Sequence, residues 1–172
     1  FRDLIQVDFE ILTKRQDFES KDGIKIAYTL NPVGDSFFIR SKPLLFEQGI
    51  NDQDITIIPF HRTKAFFGVG GNSMFPFDVF AASFYMVTRY EEYVELERDD
   101  LGRFLADSCL AVKHNFLDYP IVDKWIIHLK QILKENFPSI KFKDQKFEFI
   151  NTIDVDSAYS YLDKGVFRTF IS

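Results

Sequence analysis

The chain has 172 residues, 46% of them hydrophobic and 27% charged, with a net charge of −5. That length admits one domain, or one domain and the start of another, and a pI near 5.2 with no Lys/Arg-rich run excludes nucleic acid and an anionic membrane surface as partners. A single cysteine, Cys109, excludes an internal disulfide and suits the reducing cytoplasm, and no apolar run approaches the roughly 18 residues of a membrane span.

Residues 1–70 read as short strands and turns. Leu4 to Thr13 is apolar and β-branched, and its start suits the tail of a helix. Asp22-Gly23 signals a turn, and Ile24 to Tyr28 then alternates like a half-buried strand. Asn31-Pro32 and Gly34-Asp35 mark another turn, and Ser36 to Arg40 is a strand. Leu44-Leu45-Phe46 is a short apolar run before Gly49. Asp54 to Phe60 and Lys64 to Val69 read as two more strands, followed by a loop at Gly68, Gly70 and Gly71.

The period changes after Pro76. Phe80, Phe84, Val87 and Val94 fall at helical spacing within residues 77–97, and Asp78 suits the first turn through the helix dipole. Residues 105–113 suit a short helix. Residues 121–136 carry the clearest helical stripe, formed by Val122, Trp125, Ile126, Leu129, Ile132 and Leu133, and Asn136 and Pro138 end it. Phe147 to Asp156 reads as a strand whose end carries Asp154 and Asp156. Strands first and helices later indicate an α+β fold with an N-terminal mixed β-sheet followed by amphipathic helices. The 21 phenylalanines belong mostly to the core, with some free to line a carbohydrate or partner surface.

Few residues suggest chemistry. Asp154-Val155-Asp156 places two carboxylates near one another at a strand end, where one can ligate a metal and the other act as base. The same pair also suits a solvated strand end or a helix cap at Asp156. His61, His114 and His128 lack any HxxxH or HExxH spacing, and His128 lies beside the apolar stripe of its helix. Cys109 reads as a buried inert thiol. Gly68-Val69-Gly70-Gly71-Asn72 lacks the Lys-Ser/Thr ending of a phosphate loop and reads as a turn. Arg89, Glu91, Glu92 and Arg103 form a charged network, in which Arg103 is placed to pair with Glu91, with Glu92 or with a partner domain.

The run Phe75-Pro76-Phe77-Asp78-Val79-Phe80-Ala81-Ala82-Ser83-Phe84-Tyr85, then Arg89-Tyr90-Glu91-Glu92-Tyr93 and Gly102-Arg103-Phe104, resembles the N-terminal region of bacterial polysaccharide-deacetylase-like proteins. Ser41 to Phe46, Asn115-Phe116-Leu117 and Trp125 share the resemblance. Thr152-Ile153-Asp154-Val155-Asp156 resembles the first motif of the catalytic domain. The resemblance implies an accessory α+β domain over residues 1–145 and, over 146–172, the start of a truncated deacetylase-like domain, a distorted (β/α) barrel left incomplete. It implies Asp154 as general base and Asp156 as ligand of a divalent metal, zinc or similar, in the full-length parent. It also implies two histidines further along, which this chain lacks, so the chain by itself is expected to bind no metal and to be inactive. The remainder of the catalytic domain and a polysaccharide are the implied partners, with a homo-oligomer through an exposed strand edge as another. Two other readings stand beside it: a non-catalytic glycan-binding or interdomain module, and a structural domain that stabilises the barrel.

Overall fold

In the computed structural model, which describes residues 5–95, 97–143 and 147–154, short strands and helices pack around one aromatic core, with the strands between a first short helix and the later ones, so the fold is α+β. The first complete helix among the described residues, α1 (Arg15–Ser20), was not legible as one. It buries no residue, so it has no apolar stripe to read, and Arg15 and Glu19 pair along its exposed side at 2.7 Å.

Strand β1 (Ile26–Thr29) lies parallel to β2 (Phe37–Arg40), with Ile26 opposite Phe37 and Thr29 opposite Arg40. Parallel neighbours ordinarily need a crossover of a dozen residues or more. Here residues 30–36 suffice because the strands are so short. Four residues rise only about 10 Å, and a seven-residue link can reach roughly 23 Å. Beyond a single 3-10 turn at Pro43–Leu45, strands β3 (Ile58–Phe60) and β4 (Thr63–Ala65) pair antiparallel across His61-Arg62. The expected mixed sheet is therefore two separate two-stranded sheets among the described residues. The expected strand from Lys64 to Val69 stops early because Phe67 adopts a left-handed φ of 59°, which turns the chain out of the extended region. Beyond it, a single bridge joins Gly68 to Phe77.

Helix α2 (Val79–Val87) begins at Asp78, which is wholly buried. One Asp78 carboxylate oxygen accepts from the Phe80 and Ala81 amides at 3.1 and 3.0 Å. The other accepts from the Tyr28 hydroxyl at 2.8 Å and the Lys42 amide at 2.6 Å. One side chain thus ties β1, the segment after β2 and the start of α2 together. Burial pushes its carboxyl above the ordinary range, opposed by these four donors. The helix expected over 77–97 divides after Val87, and the second piece is α3 (Glu91–Val94).

After a 3-10 turn at Ala106–Ser108 come α4 (Leu110–Lys113) and α5 (Ile121–Asn136), whose bounds are those the periodicity predicts. Ile121, Trp125, Ile126, Leu129 and Leu133 point α5 into the core. Fully buried Trp125 meets Phe66 and Phe77 edge-on at 5.7 and 5.2 Å, and its indole donates to the Lys64 carbonyl at 2.9 Å. Each side chain buried this way gains roughly 1.5–3 kcal/mol, and each edge-on pair about 0.5–1.5 kcal/mol more. The core expectation for phenylalanine holds at buried Phe37, Phe38, Phe60, Phe66, Phe67, Phe75, Phe77 and Phe116 and, in part, at Phe80, Phe104, Phe137 and Phe142, which pack against them, whereas Phe9, Phe46, Phe84, Phe147 and Phe149 face solvent.

Residues 147–154 form no strand, although their alternation predicts one. A strand exists only through hydrogen bonds to a neighbour, and no described segment pairs with this one.

Candidate functional site

Of the two carboxylates expected to carry chemistry, only the first lies among the described residues. Asp154 is exposed in the unpaired 147–154 segment, and Asp156 lies outside the described residues. Among the described residues no group of three His, Cys, Asp or Glu side chains converges to hold a metal ion. The one carboxylate expected as metal ligand, Asp156, is by itself a poor match for zinc, which ordinarily takes three protein ligands or more.

The structure does assemble a cleft from the two distinctive sequence segments, Arg89 to Tyr93 and Gly102 to Phe104. The cleft is open to solvent and spans about 680 Å³, with Arg89, Glu92, Tyr93, Arg98, Arg103 and Phe104 on its walls. Local backbone rules explain how each arrives there. The Arg89 amide donates to the Met86 carbonyl and the Tyr90 amide to the Tyr85 carbonyl, while Arg89 takes a left-handed φ of 52°. These are the paired bonds of a Schellman stop to α2, and Arg89 occupies the position that glycine ordinarily fills. The stop divides the expected long helix and turns Arg89 outward. Tyr90 is buried, with its hydroxyl accepting from the Asn51 amide at 2.9 Å and donating to the Asn51 carbonyl at 3.2 Å. Asn115 closes α4 by the same device at φ 53°, which drops Phe116 into the core.

The opposite wall is a tight loop closed by the bridge between Arg98 and Phe104. Gly102 takes φ 74° and donates to the Asp99 carbonyl at 2.8 Å, a conformation that suits glycine. Asp99 accepts from the Leu101 and Arg103 amides and from the Arg103 Nε at 2.7 Å, and these bonds, those from Arg103 foremost, hold its carboxyl below the ordinary range. Arg98 lies over the Phe104 ring at 5.8 Å and donates to the carbonyls of Glu92, Glu95 and Glu97.

Of the expected partners of Arg103, neither Glu91 nor Glu92 pairs with it among the described residues. Arg103 pairs with Asp99, four residues back in its own loop, because the Gly102 turn folds it over that loop. Glu92 pairs with Arg89. Among the described residues Glu91 pairs with no arginine; it accepts from the Leu110 amide at 2.7 Å and ties α3 to the start of α4. The network of Arg89, Glu91, Glu92 and Arg103 is thus two local ion pairs and one backbone tie. In both ion pairs the carboxylate meets Nε, and the outer Nη groups of Arg89 and Arg103 make no hydrogen bond among the described residues. Their side chains are 58% and 71% exposed.

A second arrangement escaped the spacing rules. His61, at the β3–β4 turn with φ 49°, stacks on His128 of α5 with ring centres 3.9 Å apart and planes within 5°. Phe60 meets His128 edge-on at 5.3 Å. Burial, reinforced by the neighbouring His61, holds His128 below the usual imidazole range. The reading of His128 as a boundary residue holds, since it is half-buried, and Cys109 is buried as expected. No motif links residues 61 and 128; only the packing of the hairpin on α5 does.

Residues 1–138 match the model of a family of unknown function (DUF7033), and the chain belongs to that family. No curated protein matches the chain, and no solved structure does. Among the described residues no helix is long and apolar enough to cross a membrane.

Proposed function

We propose that this DUF7033 member is the accessory domain of a larger polysaccharide-deacetylase-like protein, and that it docks on the catalytic domain through the outer face of α2. The observation that supports the reading is that α2 is apolar on every side. Val79, Ala81, Ala82, Ser83 and Tyr85 face the core, yet Phe84 and Val87 on the outer side are 40% and 66% exposed. A helix without a polar face belongs between two layers, and an exposed apolar patch marks a surface to be covered. Tyr28 widens the patch, with its ring 5.6 Å from exposed Phe46 and 4.9 Å from Phe80. Phe147, Phe149, Ile150 and Ile153, all at least 71% exposed, add apolar surface that neighbouring barrel strands would cover.

In this reading residues 1–145 support the barrel and residues 146–172 open it. Asp154 serves as base and Asp156 as metal ligand only once histidines from the rest of the barrel complete the donor set. This chain then performs no hydrolysis alone, and the buried Cys109 suits the cytoplasm.

The test is the double variant Phe84→Glu with Val87→Lys. In this chain it should leave the urea midpoint within about 0.5 kcal/mol of wild type, as exposed substitutions do. In a longer protein that includes the downstream sequence, it should free the domain, seen as faster cleavage between domains in limited proteolysis. An unchanged cleavage pattern in the longer protein would contradict docking through α2.

A further inference from the structure

We propose that the cleft formed by α3, the 98–104 loop and α4 binds an acidic glycan, with Arg89 and Arg103 holding sugar carboxylates and Tyr93 stacking on a ring. The inference rests on the cleft alone and stands whether or not α2 docks.

Arg89 is the starting point. A bulky residue at φ 52° occupies the Schellman position that glycine fills without strain. Left-handed backbone of this kind costs of the order of 1–3 kcal/mol, and such residues cluster at ligand sites. The ion pair with Glu92 does not offset that cost, since an exposed pair contributes about 0–1 kcal/mol. What the strain secures is position: the guanidinium stands at the wall of the cleft with Nε held by Glu92. Arg103 repeats the arrangement from the other wall, with Nε held by Asp99. In each, a carboxylate behind the guanidinium orients it and leaves the Nη groups for a second partner. Those groups match a planar carboxylate or a phosphate.

The rest of the cleft narrows the ligand. Its charged wall residues are three arginines and one glutamate, and Arg89 and Arg103, each paired through Nε, keep their Nη groups for an anion. Six carboxylates against three arginines over residues 89–103 disfavour a polyphosphate and suit a ligand with one charge per unit better. Tyr93 is 62% exposed and lines the cleft, and Glu92 can accept hydroxyl groups. The volume lies within the roughly 300–1,000 Å³ of small-molecule sites. A sugar with a ring carboxylate supplies the apolar ring face, the hydroxyls and the single charge together.

The experiment is calorimetric titration of the whole chain with oligogalacturonate and with alginate fragments. The fully methyl-esterified oligogalacturonate, free galacturonate and poly-glutamate serve as comparisons. Saturable binding of an acidic oligosaccharide below about 1 mM is expected, with no binding of the ester and at least tenfold weaker binding of the monosaccharide. Arg103→Gln and Tyr93→Ala should each weaken binding about tenfold. Arg89→Gly should raise the urea midpoint and abolish binding in the same protein, which separates loss of a ligand contact from loss of the fold. Absence of saturable binding to both acidic oligosaccharides would overturn the proposal. So would equal binding of the ester or the monosaccharide, equally tight binding of poly-glutamate, which would indicate an acidic protein partner, or unchanged binding in the three variants.

Discussion

Removing the Asp78 carboxylate should cost this fold more than any single surface change, and the structure gives the size of the loss. Asp78→Ala leaves the Phe80 and Ala81 amides without their cap, which costs about 0.5–2 kcal/mol. It also strands the Lys42 amide and the Tyr28 hydroxyl, each at about 1–3 kcal/mol if water cannot reach it. Tyr28 is only half-buried, so its share lies at the low end. The total is about 3–5 kcal/mol, a large part of the roughly 5–15 kcal/mol that holds a domain together. Asp78→Asn should cost less, about 1–2 kcal/mol, because its one carbonyl oxygen keeps the α2 cap and its amide can donate to the Tyr28 oxygen. Only the Lys42 amide is then left facing another donor. Urea denaturation followed by circular dichroism measures both, with Tyr28→Phe and the double variant completing a cycle. A cost under about 1 kcal/mol for Asp78→Ala, or additivity within about 0.5 kcal/mol in the cycle, would refute the role of Asp78 as the shared acceptor.

Trp125→Phe removes the indole donor from the Lys64 carbonyl and leaves a void between Phe66 and Phe77; a loss of about 2–4 kcal/mol should appear in the urea midpoint. Glu91→Ala leaves the Leu110 amide without its carboxylate and should cost about 1.5–3 kcal/mol, whereas Glu92→Ala, which breaks only an exposed pair, should cost under about 1 kcal/mol. The folded His128 titrates below its unfolded value of 6.5, so the unfolded chain binds the proton more readily. Its contribution to stability is then complete above that value and is lost as pH falls through the lower folded pKa. Urea midpoints across this window should fall toward acid in the wild type and fall less in His128→Gln; equal slopes would show that the stacked pair does not sense pH.

Much of the fold was legible because some elements announce themselves locally. The α5 stripe from Ile121 to Leu133 repeats at helical spacing, so its bounds need no knowledge of what it packs against. Strands β1 and β2 follow turn signals at Gly23 and Gly34 and alternate or run apolar over a few residues. Helix α1 was not legible because a helix with no buried face leaves no periodic trace. The helix expected over 77–97 was half right. Its apolar spacing continues through Thr88, Arg89 and Tyr90, and only backbone hydrogen bonding shows that α2 stops there with an arginine in glycine's place.

The candidate site divides along the same line. That the Arg89–Tyr93 and Gly102–Phe104 segments stand out was implied by the resemblance to deacetylase-like N-terminal regions, and their charge could be read from the residues themselves. Which carboxylate meets which arginine could not. Arg103 reaches Asp99 because one glycine turns its loop, and Glu91 is drawn to a backbone amide by the approach of α4. The stacking of His61 on His128 and the four donors around Asp78 are of the same kind, since each joins segments remote in the chain. Sequence determined the elements whose stabilising contacts lie within a few residues. Tertiary structure alone decided the contacts between elements, because they depend on distances and exposures that exist only after the chain has packed.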